Sequence, residues 1–135
     1  MLSMSSPSEF KWLNERVVFA VHSEQVSRHG GLSGIRDQSL LESALARPKN
    51  MKFYENASLE RCAAAYIFGI IRNHPFLDGN KRTGLVTGIT FLMLNGYFFT
   101  AKESDVVVAI INLAAGKMTE EQVTEWICEY IIPKP

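Results

Sequence analysis

Apolar positions recur at helical spacing along most of the chain, interrupted by turn residues, and predict about six helices. Asn14 is placed to cap a first helix running to about Arg28, with Val17, Val18, Val21 and Val26 near one face and His29-Gly30-Gly31 at its end. Asp37 or Ser39 opens a short second helix carrying Leu40, Leu41, Ala44 and Leu45; Pro48 is expected to stop it, leaving Lys49 to Asn56 irregular or extended. Ser58 caps a third helix through Ala63, Ala64, Ile67, Phe68 and Ile71, apolar on nearly every side and so expected at the centre. Pro75 ends it near His74. A fourth helix starts at Asn80, runs through Leu85, Ile89, Leu92 and Met93, and stops at Asn95-Gly96. Tyr97-Phe98-Phe99 reads as a short strand, with Phe10-Lys11-Trp12 as its expected partner. Ser104 caps a fifth helix that Gly116 ends, and Thr119 to Gln122 form a capping box for the sixth. There Val123, Trp126, Ile127, Tyr130 and Ile131 make a core stripe, opposite a solvated edge of Glu121, Glu125 and Glu129. The expected fold is an all-α bundle with a small β element, a single domain over residues 9–135 behind a flexible tail of residues 1–8.

One run tests the soluble reading. Between Arg82 and Lys102 lie 19 residues without a charge, the length of a membrane span. Thr83, Thr87, Thr90, Thr100 and Asn95 are polar, however, and Asn95-Gly96 cuts the run in two. Gly84-x-x-x-Gly88 then serves close packing of one soluble helix on another. No partnership with a membrane is expected.

Composition adds limits rather than a function. In 135 residues, 47% are apolar and 21% charged, which fits one globular domain and excludes fibres and long disorder. Cys62 and Cys128 sit in apolar stretches and are expected to be buried free thiols. The first residues lack the basic and apolar blocks of a signal peptide, so a cytoplasmic location is expected. The 14 basic and 14 acidic side chains cancel, but residues 1–82 carry 11 basic and 8 acidic, and residues 83–135 carry 3 and 6. An imbalance of three charges is too small for a nucleic-acid surface and suits a local anionic ligand.

Chemistry collects at the junction of the third and fourth helices, Arg72-Asn73-His74-Pro75-Phe76-Leu77-Asp78-Gly79-Asn80-Lys81-Arg82-Thr83-Gly84. A helix N-terminus at Asn80 presents unpaired N–H groups and partial positive charge, and Gly79 permits the positive φ that wraps donors around a phosphate. Lys81 and Arg82 oppose the helix dipole in that first turn, which a bound anion would explain. Asp78 is a hard oxygen ligand suited to Mg²⁺, and the His74 imidazole suits a general base for an attacking hydroxyl. Together they specify transfer of a phosphate-containing group from a Mg²⁺-nucleotide to a hydroxyl. Singly, each has an ordinary structural use: His before Pro caps a helix end, and Asp-Gly-Asn makes a turn.

His74 to Arg82 resembles, at every fixed position, the motif of the Fic/Doc family: His-Pro-Phe-x-Asp/Glu-Gly-Asn-Gly/Lys-Arg. Upstream, HGGLSGIRDQSLLESALARP is similar to the Doc branch, as is the short chain. The resemblance implies a Fic/Doc helical fold with His74 as base, Asp78 on Mg²⁺, and Gly79, Asn80, Lys81, Arg82 and Thr83 around the phosphates of ATP. Arg72 is a further candidate for the nucleotide, or equally a cap for the helix it ends. AMP-transferring Fic enzymes carry Gly-Asn-Gly-Arg-x-x-Arg, where this chain has Lys81 and Leu85. Both departures match Doc, which transfers the γ-phosphate; a long cation fills the room of the α-phosphate and adds charge for a terminal one.

The resemblance further implies a toxin kinase acting on a threonine or serine of a translation factor, elongation factor Tu in Doc, and held in check by a small Phd-like antitoxin. An inhibitory Ser/Thr-x-x-x-Glu-Gly/Asn helix is not found: Met51 precedes Glu55-Asn56, and Phe10 follows Ser5-x-x-x-Glu9. Inhibition in trans is therefore expected. In Fic relatives a flap docks the target by strand addition, a place that Lys49 to Tyr54 occupies here, with Lys52, Phe53 and Tyr54 offering the edge; the alternative is a plain loop. The rival readings are AMP transfer to a protein hydroxyl and a catalytically silent peptide-binding module.

Overall fold

The computed structural model describes residues 9–135, and the expected tail at residues 1–8 lies outside them. The order is α1 (Glu15–His29), α2 (Gln38–Glu55), α3 (Leu59–Asn73), α4 (Asn80–Leu94), β1 (Tyr97–Phe99), α5 (Glu103–Ala114), α6 (Glu120–Tyr130) and β2 (Ile131–Pro133). An all-α bundle with one two-stranded sheet results. Asn14, Asp37, Ser58 and Thr119 each accept a first-turn N–H as N-caps, and Thr119 with Gln122 completes the capping box. Among the described residues no helix is long and apolar enough to cross a membrane.

Helix α3 is the axis, with nine of its 15 residues buried. Glycine lets α4 lie directly on it. A Cβ at Gly84 would stand 2.8 Å from Ile71 Cγ1 and 3.2 Å from the Ile67 carbonyl, and one at Gly88 would overlap Ile67. On the other side α2 runs antiparallel to α3: Asn73 Nδ2 donates to the Leu40 carbonyl, Ala44 packs on Gly69, and the Cys62 thiol reaches the Pro48 carbonyl.

That packing corrects the expected end of α2. The helix runs through Pro48 to Glu55 and closes on Asn56 in the left-handed region, so Lys49 to Glu55 is neither irregular nor extended. Proline costs a helix interior about 3 kcal/mol, but continuing buries Pro48 and Met51 beside Leu41 and Ala44, and one large apolar side chain alone contributes roughly 1.5–3 kcal/mol. The next turn's hydrogen bonds add to this. Tertiary contact thus overrides the local breaker.

The strand partner also differs from expectation. β1 pairs antiparallel with β2, Phe98 opposite Ile132, rather than with Phe10-Lys11-Trp12. The Asn95 side chain satisfies that segment instead: its Oδ1 accepts the Lys11 N–H at 2.8 Å and its Nδ2 donates to the Lys11 carbonyl. Phe10 and Trp12 are thereby free to pack on Phe91. Helix α5 starts two residues early, with Lys102 rather than Ser104 at its N-cap. Val17 is exposed, and His22 joins Val18 as the buried contribution of α1. Cys62 is buried, whereas Cys128, on the outer side of α6, is exposed.

Candidate active site

His74 closes α3 in the left-handed conformation, φ 53° and ψ 53°, although a residue before proline favours an extended one. Strain of this kind costs of order 1–3 kcal/mol and persists only where neighbours over-determine it. Here they do. The His74 N–H bonds to the Ile70 carbonyl, Arg36 donates from Nε to the His74 carbonyl at 2.7 Å and from Nη2 to the Asn73 carbonyl at 2.9 Å, and the Pro75 carbonyl accepts the N–H groups of Arg36 and Asp37. An antiparallel bridge between Ile35 and Phe76, with Leu77 N–H on the Gly34 carbonyl, extends this support.

Beyond Pro75 the chain turns back into α4. The buried Asn80 side chain accepts the Phe76 N–H at 2.9 Å and donates to the Phe76 carbonyl at 3.0 Å, closing the turn on itself. Gly79, at φ 74°, is the N-cap and supplies no side-chain cap. Consequently the N–H groups of Gly79, Asn80, Lys81 and Arg82 have no protein partner among the described residues, and the first intrahelical bond is Thr83 N–H to the Gly79 carbonyl. Asp78 is half-buried: Oδ2 accepts the Leu32 N–H at 2.6 Å, and Oδ1 has no protein partner among the described residues.

These parts face one cleft of about 480 Å³ lined by His74, Asp78, Gly79, Asn80, Lys81, Arg82, Val107, Ile110 and Ile111. Lys81 and Arg82 are exposed and pair with no carboxylate among the described residues. The arrangement combines an imidazole, a carboxylate, a row of unpaired amides and two free cations, which suits a phosphate chain with a hydroxyl beside it. Asp78 offers one carboxylate, and no cluster of three metal-ligating side chains occurs among the described residues. That donor set fits Mg²⁺, which completes its shell with water and phosphate oxygens, and not a structural zinc.

Other expected residues lie elsewhere. Thr83 is fully buried between helices and does not line the cleft. Arg72 turns toward the end of α5, its guanidinium 5.8 Å from the Phe68 ring and beside Gly116. Lys52, Phe53 and Tyr54 occupy the last turn of α2, with their backbone inside a helix, so they present no edge for strand addition. They also flank the start of α3, whereas His74 ends it, a separation of about 20 Å at 1.5 Å per residue.

The far wall of the cleft is α5, which supplies Val107, Ile110 and Ile111, none of them a site residue expected from the sequence. Its signal was the run Val106-Val107-Val108-Ala109-Ile110-Ile111, more apolar than a helix burying only Leu113 needs. Arg36 and Leu32 were missed as supports; the glycine-rich turn before them was the visible clue.

The model of the Fic/DOC family matches residues 12–92, which include the whole junction. The chain belongs to the Fic/Doc family. It is 32% identical over 111 residues to "Protein kinase doc" of Escherichia phage P1, covering 80% of this chain and 86% of that one. It is also 42% identical over 69 residues to "Toxin Doc" of Mycolicibacterium smegmatis, covering 50% of this chain and 53% of that one. Within the Fic/Doc family these relatives support the Doc branch, and the motif from His74 to Arg82 is the part that lines the cleft.

Proposed function

We propose that the chain is the toxin of a toxin–antitoxin module, a kinase that moves the γ-phosphoryl group of Mg²⁺·ATP to a threonine or serine hydroxyl of a translation factor. Elongation factor Tu is the target by resemblance. The observation that carries this reading is Lys81 beside His74 in one cleft, at the position where AMP-transferring relatives have glycine. Leu85, where those relatives have their second arginine, is buried in the core and supplies no charge to the cleft.

His74 takes the proton of the attacking hydroxyl, the unpaired amides of Gly79 to Arg82 bind the phosphate oxygens, and Lys81 and Arg82 offset their charge. Asp78 would hold Mg²⁺, which when bound neutralises charge on the phosphates. The exposed Val107, Val108 and Ile111 of α5 offer an apolar strip beside the cleft for a Phd-like antitoxin segment, consistent with inhibition in trans.

The test uses ATP labelled at the γ or the α position, with purified target and the wild-type and His74→Ala proteins. Label transferred from the γ position only, and lost in His74→Ala, is expected. Transfer from the α position only would make the chain an AMP transferase. Growth inhibition that survives His74→Ala would favour the silent binding module.

A further inference from the structure

A second histidine lies beneath the junction. His22 of α1 is fully buried, and its ring stacks on Phe76 with centroids 3.9 Å apart and planes 9° from parallel. Its Nε2 is 2.9 Å from the Asp78 carbonyl oxygen, and Gly79 packs over the same edge of the ring. A carbonyl only accepts, so Nε2 carries the hydrogen and donates. Nδ1 is buried with no partner among the described residues. His22 therefore spends its one donor on the Asp78 carbonyl, and no other partner for that oxygen occurs among the described residues.

The consequence follows from peptide geometry. A trans peptide is planar, with its C=O and N–H pointing in opposite directions. Holding the Asp78 carbonyl inward on His22 turns the Gly79 N–H outward, on the side of the cleft that Gly79 lines. Glycine at 79 accepts either sign of φ, so without a fixed carbonyl this peptide flips at little cost and withdraws the donor. The Asp78 carboxylate is tied separately, through Leu32, and does not fix the peptide plane.

We infer that His22 is a positioning residue: its Nε2–H locks the Asp78–Gly79 peptide so that the Gly79 amide faces a bound phosphate. The inference rests on the proposed use of the cleft for a nucleotide, and it concerns anion binding before any transfer step. In His22→Gln the side-chain amide nitrogen reaches the place of Nε2 and keeps a donor. In His22→Phe the ring still stacks on Phe76 but has no donor. The Asn amide matches the Nδ1 side of imidazole and falls short of Asp78.

The experiment follows the backbone ¹⁵N–¹H resonance of Gly79 and the affinity by calorimetry during titration with a non-hydrolysable ATP analogue plus Mg²⁺, and separately with inorganic pyrophosphate. Wild type and His22→Gln are expected to bind alike and to shift the Gly79 amide on binding. His22→Phe and His22→Asn are expected to bind about tenfold more weakly, with the Gly79 response lost, a smaller effect than the roughly 10²–10³ in kcat that removing one oxyanion-hole donor costs a transition state. Should His22→Phe not fold, His22→Asn against His22→Gln gives the same contrast. Wild-type affinity and an unchanged Gly79 shift in a donor-less variant would overturn the inference, as would equal weakening in His22→Gln. A wild-type protein that binds both anions yet transfers no label defeats the kinase reading and leaves the role of His22 standing.

Discussion

Arg36 Nε donates to the His74 carbonyl at 2.7 Å, so a side chain from the loop before α2 holds the backbone of the histidine that closes α3. Its Nη2 takes the neighbouring Asn73 carbonyl, which makes the guanidinium a two-pronged cap for a helix end in an unfavourable conformation. Arg36→Ala is expected to lower kcat about tenfold, with KM for the nucleotide within about twofold, because the phosphate donors stay in place while the base loses its aim. Stability should fall by about 1 kcal/mol, the net value of such bonds at an exposed site. Arg36→Lys, a point charge without the fork, should recover only part of the rate. Steady-state kinetics beside urea unfolding checks this; an unchanged kcat would show that His74 needs no external clamp.

Asp78→Asn separates charge from shape. The amide oxygen still accepts the Leu32 N–H, so the thermal midpoint should move by no more than about 2 °C. Losing the carboxylate charge should lower phosphoryl transfer about 100-fold or more and shift the Mg²⁺ dependence to higher concentration. A Mg²⁺ titration of label transfer decides it, and a wild-type Mg²⁺ curve for the Asn protein would remove Asp78 from the metal.

The contact between α3 and α4 sets a steep penalty for one methyl group. Gly88→Ala drives a Cβ into Ile67 and stands 3.3 Å from the Ala63 carbonyl, whereas Gly84→Ala meets Ile71 at 2.8 Å. Overpacking of this kind costs about 1–3 kcal/mol, with Gly88→Ala the worse of the two. Adding Ile67→Val to Gly88→Ala should recover part of the loss, because the side chain in the way is shortened. Denaturant midpoints of the single and double variants test the order.

The two thiols should react differently. Burial pushes Cys62 up to about 11, so near pH 8 it carries almost no thiolate and lies out of reach. Cys128 is exposed; partial burial and then the nearby Glu60 carboxylate raise it more modestly. Iodoacetamide on the native protein should label Cys128 slowly and Cys62 not at all, with the Cys128 rate climbing as pH rises. Unfolding in urea should expose both. Peptide mapping reads the result, and native labelling of Cys62 would show that the core opens.

Much of this molecule was legible in its side chains because the informative signals are local. Asn14, Asp37, Ser58 and Thr119 cap where a short polar side chain meets the start of an apolar period, and Asn80 opens α4 after a glycine. The motif from His74 to Arg82 is likewise contiguous, and six of its residues meet in one cleft. What escaped depends on partners distant in sequence. Pro48 reads as a stop until α3 lies alongside, and Phe10 to Trp12 reads as a strand until Asn95 supplies its hydrogen bonds. The far placement of Phe53 and Tyr54 follows from α2 continuing as a helix. Arg36 and His22 carry no local signal, because their partners are backbone carbonyls 38 and 56 residues away, which no side-chain pattern announces.

Helix α5 contributes three residues to the cleft but buries only Leu113. A helix so lightly anchored opens at a lower free energy than α3, so its amides should exchange with solvent well before those of the central pair. The wall of the cleft is thus in equilibrium with its own fraying. Any ligand seated against Val107 and Ile111 draws part of its apparent affinity from suppressing that equilibrium, and occupancy of the cleft and order in α5 are two readings of one free energy.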